Sequence, residues 1–146
     1  MSYHSYSIHG YGICDADNAC KITKERVEEL LELSTDVSKY FHDNFGDDYT
    51  IEDLDDYESI ETCECGVFAL LCDVMNDADE GVRFISCSDY YNDHYILYEP
   101  TFPWYMSDIE RNMQSSSIIA GMFARYAMIL FGETPVVEFY TCENGG

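Results

Sequence analysis

Two runs, Val82-Arg83-Phe84-Ile85-Ser86-Cys87-Ser88 and His94-Tyr95-Ile96-Leu97-Tyr98-Glu99, flank the polar stretch from Asp89 to Asp93. Both are rich in β-branched and aromatic residues, and the connection is short and polar. That combination predicts a β-hairpin. Pro100 and Pro103 end it, because proline cannot donate to a ladder. Upstream, the apolar positions Val67, Phe68, Leu70, Leu71 and Val74 predict a buried helix over Cys63 to Met75. Downstream, Ser115 to Phe131 predicts an apolar helix closed by Gly132. Between hairpin and helix lies an aromatic connection, Phe102 to Met106, followed by Ser107 as the cap of a turn containing Asp108 and Glu110.

Further out, Tyr3 to Ile13 alternates as a strand, with Gly10 and Gly12 suggesting a bend or bulge. Thr23 is suited to cap a helix from Lys24 to Leu33, whose inner face carries Val27, Leu30, Leu31 and Ser34. A second helix, Thr35 to Asn44, presents Val37, Tyr40 and Phe41 and stops at Gly46. Thr50 can cap an acidic turn from Ile51 to Tyr57. Pro135 introduces a last strand, Val136 to Cys142, before a Gly145-Gly146 tail. The order is strand, helices, hairpin, helix, strand. It predicts one α+β domain over residues 1–146, with a mainly antiparallel sheet packed on one face by helices. Val67, Phe68, Leu70, Leu71, Ile119, Phe123 and Ile129 are expected to be largely buried, and the chain to be monomeric.

Charge is the feature that the fold does not require. The chain has 29 acids against seven bases, a formal net charge of -22 on 146 residues. Between Tyr40 and Val82 there are fourteen acids and no Lys or Arg. Such self-repulsion opposes a compact state and says more about partners than about fold. A disordered acidic tail is a poor reading, since hydrophobic residues make up 47% of the chain and aromatics 15%. The acids are also interleaved with Tyr49, Ile51, Leu54, Tyr57 and Ile60. The bland alternative is a solvated acidic face without a function.

Few catalytic patterns survive inspection. Gly10 and Gly12 resemble half of a nucleotide fingerprint, but they continue a strand rather than open a helix. No nucleophile elbow, His-Glu-x-x-His or kinase signature occurs. Cys63-x-Cys65 with Cys72 lacks the paired spacing of structural zinc. Asp47 and Glu58 match the ends of a twelve-residue calcium loop, but Glu52 stands where its sharp turn needs glycine. Asp77, Asp79 and Glu80 are a weaker oxygen cluster. The four histidines stand apart. No catalytic residue, metal site or cofactor is therefore assigned. The odd number of cysteines, seven, favours free thiols in a reducing cytoplasm, with Cys72 and Cys87 packed as small hydrophobes. The longest apolar stretch, Ile118 to Phe131, is too short to span a bilayer and is interrupted by Arg125.

The acids Asp47-Asp48, Glu52-Asp53, Asp55-Asp56, Glu58, Glu61 and Glu64, set in an aromatic-rich domain, carry a resemblance. In size and charge the chain is similar to the DNA-mimic anti-CRISPR and anti-restriction proteins that phages make. The opening Ser5-Tyr6-Ser7-Ile8-His9-Gly10-Tyr11-Gly12-Ile13 also resembles the start of prophage proteins. Such inhibitors share no single fold. The resemblance implies a non-catalytic inhibitor in the cytoplasm of a bacterial host. It would bind the basic nucleic-acid cleft of a defence nuclease, a CRISPR effector above all, without touching nucleic acid or membrane. The acids from Asp47 to Glu64 would supply the field, and Asp73, Asp77, Asp79 and Glu80 would extend it. Tyr49 and Tyr57 would anchor the partner, the equal alternative being that either belongs to the core. Two other classes compete: an acidic assembly module for a basic protein, and a small carboxylate-dependent enzyme. A double row of carboxylates favours mimicry, an even scatter a plain solvated face, and a converging pair in a deep pocket an enzyme.

Overall fold

The computed structural model of the chain describes residues 5–18, 22–62, 64–79, 82–89, 91–98 and 116–145. The aromatic connection, the Ser107 cap, Cys20, Cys63 and Glu80 lie outside them. The predicted hairpin is present as β2 (Phe84–Ser88) and β3 (His94–Tyr98), antiparallel, with Ser86 opposite Ile96. Its connection turns on the Asp89 carboxylate, which accepts hydrogen bonds from the Tyr91 and Asp93 amides at 2.9 and 3.0 Å. The first strand, β1 (Ser5–Cys14), pairs antiparallel with β3 on one side. On its other side it pairs with the last strand, β4 (Glu138–Gly145), so the sheet order is β2-β3-β1-β4. The last strand runs further than Cys142: Gly145 pairs with Ser5 rather than trailing as a tail.

Gly12 explains the shape of β1. A Cβ there would lie 1.9 Å from the Ile96 carbonyl oxygen, so only glycine lets the two backbones meet. The sheet curls enough for its outermost strands to approach. Cys87 on β2 and Cys142 on β4 are buried in one cluster, although two strands separate them in the sheet.

Helices cover one face, as the element order predicts. They are α1 (Lys24–Leu31), α2 (Thr35–Phe45), α3 (Val67–Ala78) and α4 (Ser116–Phe131). Thr23 caps α1 by accepting from the Arg26 amide at 3.3 Å. Ser34, expected on the inner face of α1, is buried because it caps α2, accepting from the Val37 amide at 3.2 Å. Helix α3 starts later than the apolar pattern suggests. Cys65 forms a β-bridge with Glu58, and Gly66 turns the chain at a φ of 100°. The C-terminus of α4 is held from outside. Gly132 adopts a φ of 78°, and the Arg26 guanidinium donates to the Phe131 carbonyl at 3.1 Å. A cation there complements the helix dipole.

The main core joins all four helices to Ile13, Phe84, Ile96 and Tyr98 of the sheet. Phe68, Leu70, Leu71, Ile119 and Phe123 are buried in it, while Val67 and Ile129 are only partly buried at its margin. A smaller cluster on the opposite face joins Cys14, Cys87, Tyr95, Leu97 and Cys142. Cys72 and Cys87 are buried, and the five cysteines within the described residues are all free thiols. Burial, helped by neighbouring Asp73, pushes the Cys72 thiol up to about 12.

Candidate protein-interaction surface

The acidic turn after Thr50 is a 3₁₀ helix, Ile51–Asp56. It is fixed at its start by the Asp53 carboxylate, which accepts from the Thr50 amide at 2.8 Å. A 3₁₀ helix has three residues per turn, so side chains three apart stack. Leu54, one turn from Ile51, is fully buried, and Tyr57 follows it into the core. The same period stacks Glu52 over Asp55 and Asp53 over Asp56, giving two acidic rows. At about 2 Å rise per residue, stacked carboxylates are roughly 6 Å apart. Glu52, Asp55, Asp56 and Glu58 are exposed, and Asp53 is half-exposed. Asp47 and Asp48 are exposed before this helix, Glu61 after it, and Glu64 is half-exposed. One described cation faces this run by ion pairing: the Arg83 guanidinium is 4.0 Å from Glu61, both side chains being well exposed.

Four expected contact residues are not on this surface. Tyr49 and Tyr57 are core residues, 3% and 0% exposed, and cannot anchor a partner. Their rings pack around Phe41, with the Tyr49 centroid 4.7 Å away in an edge-on contact. Their hydroxyls are spent inside the protein, on Glu28 at 2.7 Å and Asp73 at 2.6 Å. Burial and those carboxylates raise both phenols far above their ordinary range. Asp73 is buried, accepting from Tyr57, from the Ser59 hydroxyl at 2.7 Å and from the Ile60 amide at 2.9 Å. It ties the segment after the 3₁₀ helix to α3 and is not placed to touch a partner. Asp79 likewise serves the fold, accepting from Tyr126 at 2.7 Å with Arg125 3.9 Å away. Asp77 is exposed, but its carboxylate accepts from the capping residue Ser34.

A pattern missed in the sequence now becomes visible. Tyr49, Tyr57, Tyr95, Tyr126 and Tyr140 each donate a phenol hydrogen bond to a carboxylate, at 2.6 to 2.9 Å. In a chain short of Lys and Arg, neutral phenols pair with carboxylates both in the core, as at Asp73, and at the surface, as at Asp17. The signal was available: Asp73 is the one charge in the apolar run Val67 to Met75.

Two clefts border the acidic rows. One, of about 290 Å³, is lined by Asp15, Asp55, Cys65, His94 and the start of α3. The other, of about 250 Å³, is lined by Tyr40, Asn44, Phe45, Asp56, Tyr57 and Glu58. Among the described residues no three His, Cys, Asp or Glu side chains converge as a metal-binding group. No helix among them is long and apolar enough to cross a membrane. The chain matches no protein-family model, no curated protein and no solved structure.

Proposed function

We propose that the chain is a non-catalytic inhibitor that occupies the basic nucleic-acid cleft of a bacterial defence nuclease, above all a CRISPR effector. The observation that supports this reading is the pair of acidic rows on the 3₁₀ helix, Glu52 with Asp55 and Asp53 with Asp56, backed by a buried apolar edge. A protein that binds DNA displays Lys and Arg against a backbone carrying one charge per 3.4 Å of each strand. Rows of carboxylates held on a folded element offer such a cleft the same sign of charge at a fixed backbone spacing. Charged rims act chiefly on encounter rate and partner choice.

The test neutralises Asp47, Asp48, Glu52, Asp55 and Asp56 to Asn or Gln. Asp53 is spared because it caps the helix. The control neutralises Glu25, Glu29, Glu32, Asp36 and Glu133, which are exposed and remote from these rows in sequence. Both variants remove five charges. In a cleavage assay with an RNA-guided nuclease and a restriction endonuclease, at limiting inhibitor, the first variant should lose inhibition and the control retain it. The effect should fade as salt shortens the screening length toward ~8 Å. Unchanged inhibition by the first variant, or no inhibition of either nuclease by the unaltered chain, rejects the reading.

A further inference from the structure

The cleft beside the acidic rows has parts that this molecule already uses elsewhere to hold a cation. The Lys24 ammonium lies 4.4 Å from the Tyr49 ring centroid and donates to the Asp47 carbonyl at 2.6 Å. The Arg125 guanidinium lies 5.4 Å from the Tyr126 ring centroid, with Asp79 3.9 Å away. In both cases an aromatic face and an acidic residue's oxygen hold one positive group. The cleft of about 250 Å³ between α2 and the 3₁₀ helix repeats the pattern. Tyr40 and Phe45 supply aromatic surface, Asp56 and Glu58 supply carboxylates, and no Lys or Arg is among its lining residues.

The walls are fixed. The Tyr40 hydroxyl donates to the Glu58 carbonyl at 3.1 Å, which pins the ring to the opposite wall. Tyr40 meets the buried Tyr57 ring edge-on, with centroids 5.9 Å apart. The Asn44 side-chain amide donates to the Tyr40 carbonyl at 2.8 Å. Asp56 and Glu58 are exposed at the cleft, so a cation can reach them from solvent.

We infer that this cleft is a specific subsite for an arginine side chain of the partner, its guanidinium against the Tyr40 and Phe45 rings and hydrogen-bonded to Asp56 and Glu58. Arginine fits better than lysine because its planar head both stacks on aromatic faces and pairs with carboxylates along two N–H bonds. The inference rests on the inhibitor reading and makes it more specific. General charge attraction would spread over the whole acidic surface, whereas this subsite places one anchor at its edge.

The probe is N-acetylarginine amide, titrated into the full chain and followed by amide chemical shifts. Saturable shifts should concentrate at Tyr40, Asn44, Phe45 and Glu58, with a dissociation constant on the order of millimolar. The neutral isostere N-acetylcitrulline amide should leave them still, and the lysine analogue should bind more weakly. Asp56→Asn with Glu58→Gln should weaken the arginine probe roughly threefold or more. Tyr40→Leu should weaken it by a similar factor and Tyr40→Phe by less, since the ring faces the cation while the hydroxyl only pins the wall. Shifts spread evenly over Glu25, Glu29 and Glu32 as well, or none at the cleft, would overturn the subsite. Arginine binding without nuclease inhibition would leave the subsite standing and remove the inhibitor reading. Inhibition that survives the Asp56 and Glu58 changes, without arginine binding, would do the reverse.

Discussion

Asp73 shows how a single residue reads differently in sequence and in space. As one of fourteen acids it looks like part of a surface, but it is the hub of a buried network with Tyr57, Ser59 and the Ile60 amide. Asp73→Ala should therefore cost about 3 kcal/mol in urea unfolding, because the Tyr57 and Ser59 hydroxyls lose their acceptor in the core. Tyr57→Phe should cost less, about 1–2 kcal/mol, since Asp73 keeps two donors. A smaller loss for Asp73→Ala than for Tyr57→Phe would contradict this assignment. The His42–Glu28 pair, 2.9 Å apart, carries the pH dependence. The hydrogen bond to Glu28 raises His42 above its ordinary value, against a smaller effect of burial. Burial opposes ionisation of Glu28, but the hydrogen bonds from His42 and Tyr49 hold it below the usual carboxylate range. A raised base stabilises the fold fully below its unfolded value, about 6.5, and stops doing so as pH rises through its folded value. The lowered acid contributes above about 4.3 and is lost as pH falls through its folded value. The pair is thus strongest between those limits. Thermal midpoints from pH 6 to 8 should fall more steeply for the native chain than for His42→Gln; parallel curves would remove the pair from the account.

Elements were more legible than their ends. The hairpin, α1, α2 and α4 follow from period and capping, because Thr23, Gly46 and Gly132 are local signals that act locally. The start of α3 was not legible, because it is set by a non-local bridge between Glu58 and Cys65. The candidate surface divides the same way. The acids of Ile51–Asp56 could be read from the Thr50 cap and the alternation with Ile51, Leu54 and Tyr57. The spacing of Glu52 with Asp55 and of Asp53 with Asp56 is legible; that the turn is a 3₁₀ helix, which stacks each pair into a row, is not. For Tyr49 and Tyr57 the sequence leaves anchor and core open, because a tyrosine among acids suits either; both serve as the apolar side of the element. Gly12 suggests a bend or bulge in the sequence; its reason is the Ile96 carbonyl on the neighbouring strand. Gly12→Ala should force β1 and β3 apart and cost about 1–3 kcal/mol or more, measured by denaturant unfolding. A midpoint within error of the native one would mean that the two strands do not meet at this distance.

At the scale of the molecule, the net charge of -22 opposes the fold at every pH where the carboxylates are ionised. Raising ionic strength from about 0.01 M to about 0.15 M shortens screening from ~30 Å to ~8 Å. The thermal midpoint should rise across that range, and a flat or falling midpoint would show that internal repulsion is not a main cost. The topology adds a consequence in time. Strand β1 is central, yet its partners are β3 and β4, and its first residue pairs with Gly145. During synthesis at about 5–20 residues per second, the first residue of β1 waits roughly 7 to 28 seconds for its partner Gly145. Until residues 138 to 145 have left the ribosome, one edge of β1 has no mate, and any nascent neighbour can offer itself instead.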